Sequence, residues 1–122
     1  MNKTFDRKQF ARELEKRTLA FAVRIIHLST KLPNTPEGRL VKRQITGSGT
    51  SMGANYREAN RSRSKADFKY RIGICESEAS ETQYWMEIIL GMKWLSQEEL
   101  KPDYDECAEL LAIFTSIGKK LQ

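Results

Sequence analysis

Phe10, Leu14, Thr18, Phe21, Ile25, Leu28 and Leu32 recur at alternating spacings of four and three residues. That period puts them on one face of an α-helix, and it repeats along the chain. Pro33 ends this first segment, because proline lacks the helical donor and restricts the residue before it. Asn34 or Thr35 can cap a second segment that has Pro36 near its first position. Phe68, Ile72, Cys75, Ala79, Thr82, Met86 and Ile89 trace a third face, and Cys107, Leu110, Phe114, Ile117 and Leu121 a fourth. Ser64 with Asp67, and Ser96 with Glu99, carry the spacing of a capping box, and Pro102 marks a helix start. The expectation is an all-α, single-domain, antiparallel up-down-up-down four-helix bundle with helices at about 10–32, 36–59, 65–95 and 103–121.

The second segment contains "GSGTSMG", which raises the question of a phosphate-cradling loop. A Walker loop needs GxxxxGK[ST], yet Met52 stands five residues after Gly47 and Ala54 five after Gly49. A dinucleotide loop needs GxGxxG, and methionine replaces its third glycine. Both need a preceding strand, whereas "EGRLVKRQIT" shows no period-two alternation. The helical reading survives. Leu40, Gln44, Gly47, Ser51, Ala54 and Glu58 keep the four-three spacing, and Val41, Ile45, Met52 and Ala59 form an adjoining apolar stripe. An interior glycine costs a helix about 1 kcal/mol against alanine, so Gly47, Gly49 and Gly53 are read as sites of close helix packing.

Composition limits the alternatives. No window approaches the roughly 18 uninterrupted apolar residues of a membrane span. "MNKTFDRKQFARELEKR" lacks a signal-peptide core, so a soluble cytoplasmic protein is expected. Cys75 and Cys107 form no CxxC pair. In a helix 3–helix 4 hairpin Cys107 would lie beside residue 91, about 24 Å along the helix from Cys75. A disulfide tolerates about 7 Å between Cα atoms, so both are expected as free core thiols.

Catalytic and metal chemistry find little support. A di-iron bundle needs two Glu-x-x-His motifs, and the single histidine, His27, has Arg24 three residues before it. A histidine triad has one base and no nucleophile motif. Neither a metal nor another cofactor is expected. Glu78 and Glu81 share a face with Trp85, and Asn55 and Glu58 lie close along the second segment. An enzyme built on Asn55, Glu78 and Glu81 is conceivable, but such groups in bundles commonly pair across helices and fix register. Tyr84, Trp85 and Trp94 read as core or interface anchors.

Charge is the better guide. Residues 1–71 carry 17 basic and 6 acidic side chains, a net of +11, while residues 72–122 carry 4 and 10, a net of −6. Arg57, Arg61, Arg63, Lys65, Lys69 and Arg71 concentrate the positive charge, opposed only by Glu58 and Asp67. Arginine suits phosphate because its planar fork donates two parallel hydrogen bonds. These six residues are the nucleic-acid-binding candidates, through backbone rather than base contacts. Two other readings stand beside that one: a solvated helix-terminal charge run, and a protein-interaction module whose basic and acidic halves pair between copies.

The same residues carry a family resemblance. "QITGSGTSMGANYREANRSRSKADF" resembles the "Q…SGTSIGANYREA…RSK.DF" core of the 23S rRNA-intervening sequence proteins. "ESEASETQYWMEIIL" is similar to that family's "KEA.ET.YWL..L" stretch, and "LSQEEL" to its lead into the last helix. The likeness spans about residues 18–120. It rests on Gln44, Ser48, Ser51, Gly53, Ala54, Asn55, Glu58, Glu78, Glu81, Tyr84 and Trp85, with Met52 and Ser77 as departures. The resemblance implies an antiparallel four-helix bundle, often a cyclic homopentamer, with no enzymatic activity. It also implies kinship with the accessory protein of diversity-generating retroelements, which binds a reverse transcriptase and nucleic acid. On this footing the matched residues are motif or interface positions, and RNA, DNA or a protein partner is expected.

Overall fold

A computed structural model describes residues 3–122, which form four helices: α1 (Lys3–Ser29), α2 (Pro36–Ala59), α3 (Lys65–Gly91) and α4 (Gln97–Lys120). Each packs against its sequence neighbour, and α4 returns to α1. The chain is the expected all-α, up-down-up-down four-helix bundle, with no strand among the described residues.

The starts of α2, α3 and α4 are written in their caps. Thr35, not Asn34, caps α2: its hydroxyl accepts from the Gly38 N–H at 3.0 Å, and Pro36 fills the first position. Ser64 accepts from the Asp67 N–H at 3.0 Å. Ser96 and Glu99 complete a reciprocal capping box, with bonds of 3.0 and 3.1 Å. That box starts α4 at Gln97 rather than near 103, leaving Pro102 inside the helix. Proline there forfeits one bond to the carbonyl four residues back, which an early turn with a strong cap tolerates.

α3 stops at Gly91 rather than near 95. Lys93 adopts a left-handed φ of 60°, the Trp94 N–H bonds the Ile89 carbonyl and the Lys93 N–H bonds the Leu90 carbonyl. This is a Schellman termination, with lysine where glycine is usual. Leu32 and Leu95 lie beyond the helices but still cover the core from the turns. α1 begins seven residues earlier than its apolar face, because "DRKQFARE" is rich in good helix formers. A Gln9–Glu13 hydrogen bond of 3.2 Å adds to that stretch.

The core faces of α1, α3 and α4 follow the periodicity, with Phe21, Ile25, Ile72, Met86, Leu110 and Phe114 almost fully buried. Phe10 is the exception on α1, half exposed. α2 corrects the expectation more deeply. Its core face is Val41, Ile45, Ser48, Gly49, Met52, Tyr56 and Ala59. Leu40, Gln44, Gly47, Ala54 and Glu58, expected to lead, point outward, and Ser51 is half-buried. The larger side chains of the neighbouring stripe fill the interior and turn the helix by one position.

The glycines divide accordingly. A Cβ at Gly49 would fall 2.7 Å from Ile25 Cγ2, and one at Gly53 would fall 3.0 Å from Thr18 Oγ1. At Gly47 it would meet nothing within 4 Å, so Gly47 is not a packing glycine. Both cysteines are free and buried, and burial pushes each thiol up to about 12. Their separation is smaller than expected: with α4 starting at Gln97, Cys107 lies beside Ala79, its thiol 3.3 Å from that carbonyl, rather than beside residue 91.

Candidate nucleic-acid interface

Antiparallel packing brings the start of α1, the end of α2, the α2–α3 turn, the start of α3 and the end of α4 to one pole of the bundle. Three contacts fix that register. The Asn60 side-chain amide donates to Glu15 at 2.8 Å, the Tyr56 and Phe114 rings meet at a tilt with centroids 5.6 Å apart, and Gly118 faces Ile72.

The six candidate cations all sit at or near this pole, but they are not equivalent. Arg57 leans on Glu15 at 3.7 Å. Arg71 is half-buried and donates to the Asn55 side-chain oxygen at 3.4 Å. Arg61, Arg63, Lys65 and Lys69 are exposed, with no ion pair or side-chain hydrogen bond among the described residues. These four are available to a ligand.

The fold adds cations that a linear window misses. Lys119 and Lys120 end α4 at this pole. Because Glu15 already meets the end of α2, the preceding part of α1 runs on past the end of α2 at this pole. Arg7, Lys8 and Arg12 project from that region and Lys16 follows it, all exposed, with Asp6 and Glu13 beside them. No sequence signal except the topology itself could have joined them to the turn.

The motif residues separate into three groups. Ser48 and Gly53 serve packing inside the chain: the Ser48 and Thr82 hydroxyls lie 2.8 Å apart in the core, and Gly53 faces Thr18. Ser51, Asn55 and Glu78 meet along the α2–α3 seam, where the Asn55 amide donates to Ser51 at 2.9 Å. Partial burial, then the Glu81 charge, raise the Glu78 carboxyl, while a hydrogen bond from Ser51 opposes the rise. Gln44, Glu58 and Glu81 are exposed, and Trp85 is half-buried. The Trp85 indole donates to Glu81 at 3.2 Å, and Tyr84 meets the Trp85 ring edge-on.

An apolar groove runs between the outer faces of α1 and α2. Leu19, Val23 and Ile26 line one wall, and Thr50, Gly53 and Ala54 the other. Leu19 is 55% exposed, Val23 46% and Ile26 44%. His27 is exposed at the far end of α1, and no cluster of potential metal ligands occurs among the described residues. Among the described residues no helix is long and apolar enough to cross a membrane.

Comparison with known proteins agrees with this architecture. The crystal structure of a protein of unknown function from the S23 ribosomal protein family, from Bacteroides thetaiotaomicron VPI-5482, superposes with a TM-score of 0.80. It is 36% identical in sequence, and the match covers 86% of this chain and 97% of that one. No curated protein matches the chain. The family model described as 23S rRNA-intervening sequence protein matches residues 12–116. With that match over most of its length, the chain belongs to the 23S rRNA-intervening sequence protein family.

Proposed function

We propose that the protein is a non-catalytic, self-assembling bundle that binds RNA or DNA through backbone phosphates at its basic pole, as an accessory or scaffold. The supporting observation is the set of unneutralised cations at the α2–α3 turn, Arg61, Arg63, Lys65 and Lys69, joined there by cations of α1 and α4. Cations drawn from several elements follow a phosphate backbone and release its counterions without reading sequence. Of the polar motif residues that could suggest catalysis, Asn55 is engaged in the α2–α3 seam with Ser51 and Arg71, and Glu81 accepts from the Trp85 indole.

Salt dependence tests this reading. Four phosphate contacts predict a slope of log K against log salt of about −3 for single strands and nearly −4 for duplex. Arg61→Glu with Arg63→Glu should lower that slope by about 2 and weaken binding of every sequence alike. Binding that ignores salt would refute the mechanism.

A second reading has its own support. The exposed Leu19, Val23 and Ile26 groove and the opposite charges of the two halves suit association between copies. A protein whose sole role is assembly would lose its oligomer, rather than nucleic acid, on charge reversal at Arg61 and Arg63. Light scattering separates the two.

A further inference from the structure

We infer that the basic pole holds single-stranded nucleic acid, with an unpaired base stacked on Tyr70; this rests on the reading of that pole as a phosphate-binding surface. Tyr70 lies in the second turn of α3 and is 66% exposed, more than any other large hydrophobic residue described. Its hydroxyl and ring make no side-chain hydrogen bond or aromatic contact among the described residues. An exposed aromatic with an uncovered face calls for an explanation that a core residue does not.

The surroundings supply one. Residues three and four apart on a helix are surface neighbours, so Ala66, Gly73 and Ile74 flank the ring along one face, with Ser77 one turn further on. Three of the four are small, and nothing lies within 4 Å of a Cβ placed on Gly73. The result is a shallow hollow beside the ring, floored by Ile74 and lined by side chains of α3 alone. It is broad and open enough for a flat ring to lie in it.

Charge decides the occupant and its direction. Lys69 lines the hollow at the pole end, with Lys65 and Arg63 just beyond. Glu78 lines the opposite end and repels phosphate. A strand that runs its backbone along Lys69, Lys65 and Arg63 can therefore turn one base over Gly73 onto the Tyr70 ring. Combined cations and stacking aromatics are the way single strands are held without sequence preference. Bases in a duplex are already stacked and cannot reach the ring, so the site discriminates by strandedness.

Tyr84 provides the contrast. It is also exposed, but its ring sits against Trp85 beside Glu81, in the acidic half of the chain. Its neighbours one turn away on α3, Ser80, Glu81, Glu87 and Ile88, include two carboxylates and no cation.

The test is fluorescence anisotropy at low salt with a labelled oligothymidylate of about 20 nucleotides and a mixed-sequence duplex of the same length. The single strand should bind about tenfold tighter than the duplex, and Tyr70→Ala should weaken the single strand about tenfold while moving the duplex less than about twofold. Tyr70→Phe should keep the preference, since the ring and not the hydroxyl is used. A Tyr70→Ala protein that melts normally yet binds both probes as the parent does would overturn the stacking site and leave the phosphate reading standing. A parent protein that binds neither probe would sink both. If Tyr70→Ala instead lowers the particle mass by light scattering, Tyr70 is a contact between copies and the inference is wrong.

Discussion

α1 meets its two neighbours by opposite means. Against α2 it is dry and close: Ile25 and Thr18 sit on Gly49 and Gly53, so a side chain at Gly49 would displace Ile25 and one at Gly53 would crowd Thr18. Against α4 it is held at arm's length. Arg17 reaches Glu106 with two hydrogen bonds of 2.7 Å and Glu109 at 3.3 Å, and Arg24 reaches Asp103 at 2.7 Å. One contact depends on shape, the other on charge. They should therefore fail under different insults, the first to added volume and the second to acid and salt.

The largest effect is expected where shape rules. Gly49→Leu drives carbon into a buried, β-branched side chain that cannot swing aside, and should cost about 3 kcal/mol in chemical denaturation. If it melts like the parent, the close packing of α1 on α2 is not what the glycine is for.

A smaller loss is expected on the charged side. Arg17→Ala removes a bidentate but partly exposed pair and should cost about 1 kcal/mol, less at high salt. The hydrogen bond from Arg17 holds the Glu106 carboxyl below its ordinary value of 4.5, against the opposing effect of partial burial. A depressed folded value means the contribution is complete above the unfolded value and is lost as pH falls through the folded one. Stability measured from pH 6 down to the acid limit should thus fall less steeply in Arg17→Ala than in the parent.

The smallest change has the opposite sign. Gly47→Ala meets open space and gains helix propensity, so it should stabilise by up to about 1 kcal/mol. A destabilised Gly47→Ala would mean that another chain covers this face of α2.

Those three glycines also mark where sequence reading succeeds and stops. Periodicity located the interior of α1, α3 and α4 because one long row of large apolar residues runs the length of each, and on α1 the shorter row of Leu19, Val23 and Ile26 stays outside. α2 has two adjacent stripes, and Leu40 with a row of small and polar residues looked as continuous as Val41, Ile45 and Met52. Side-chain volume chose between them, and period alone carries no volume. At α4 two start signals competed, and the reciprocal Ser96–Glu99 bonds prevailed over Pro102. The basic turn was legible because its cations are contiguous. Lys119 and Arg12 were invisible to the same window because only the fold brings them there, and Tyr70 could be valued only once its exposure was known.

The short links between helices bear on how the chain folds. Residues 30–35, 60–64 and 92–96 join each helix to its next neighbour, so three of the four seams close loops that are short in sequence. The fourth joins Arg17 to Glu106, 89 residues away. Loop-closure entropy makes local hairpins form first and leaves the distant seam to a later step. Substitutions at Arg17 or Glu106 should therefore speed unfolding while barely slowing folding, whereas Gly49→Leu should slow folding itself. Stopped-flow kinetics would then order the assembly of the bundle: the packed hairpins form first, and the charged clasp between first and last helices closes behind them.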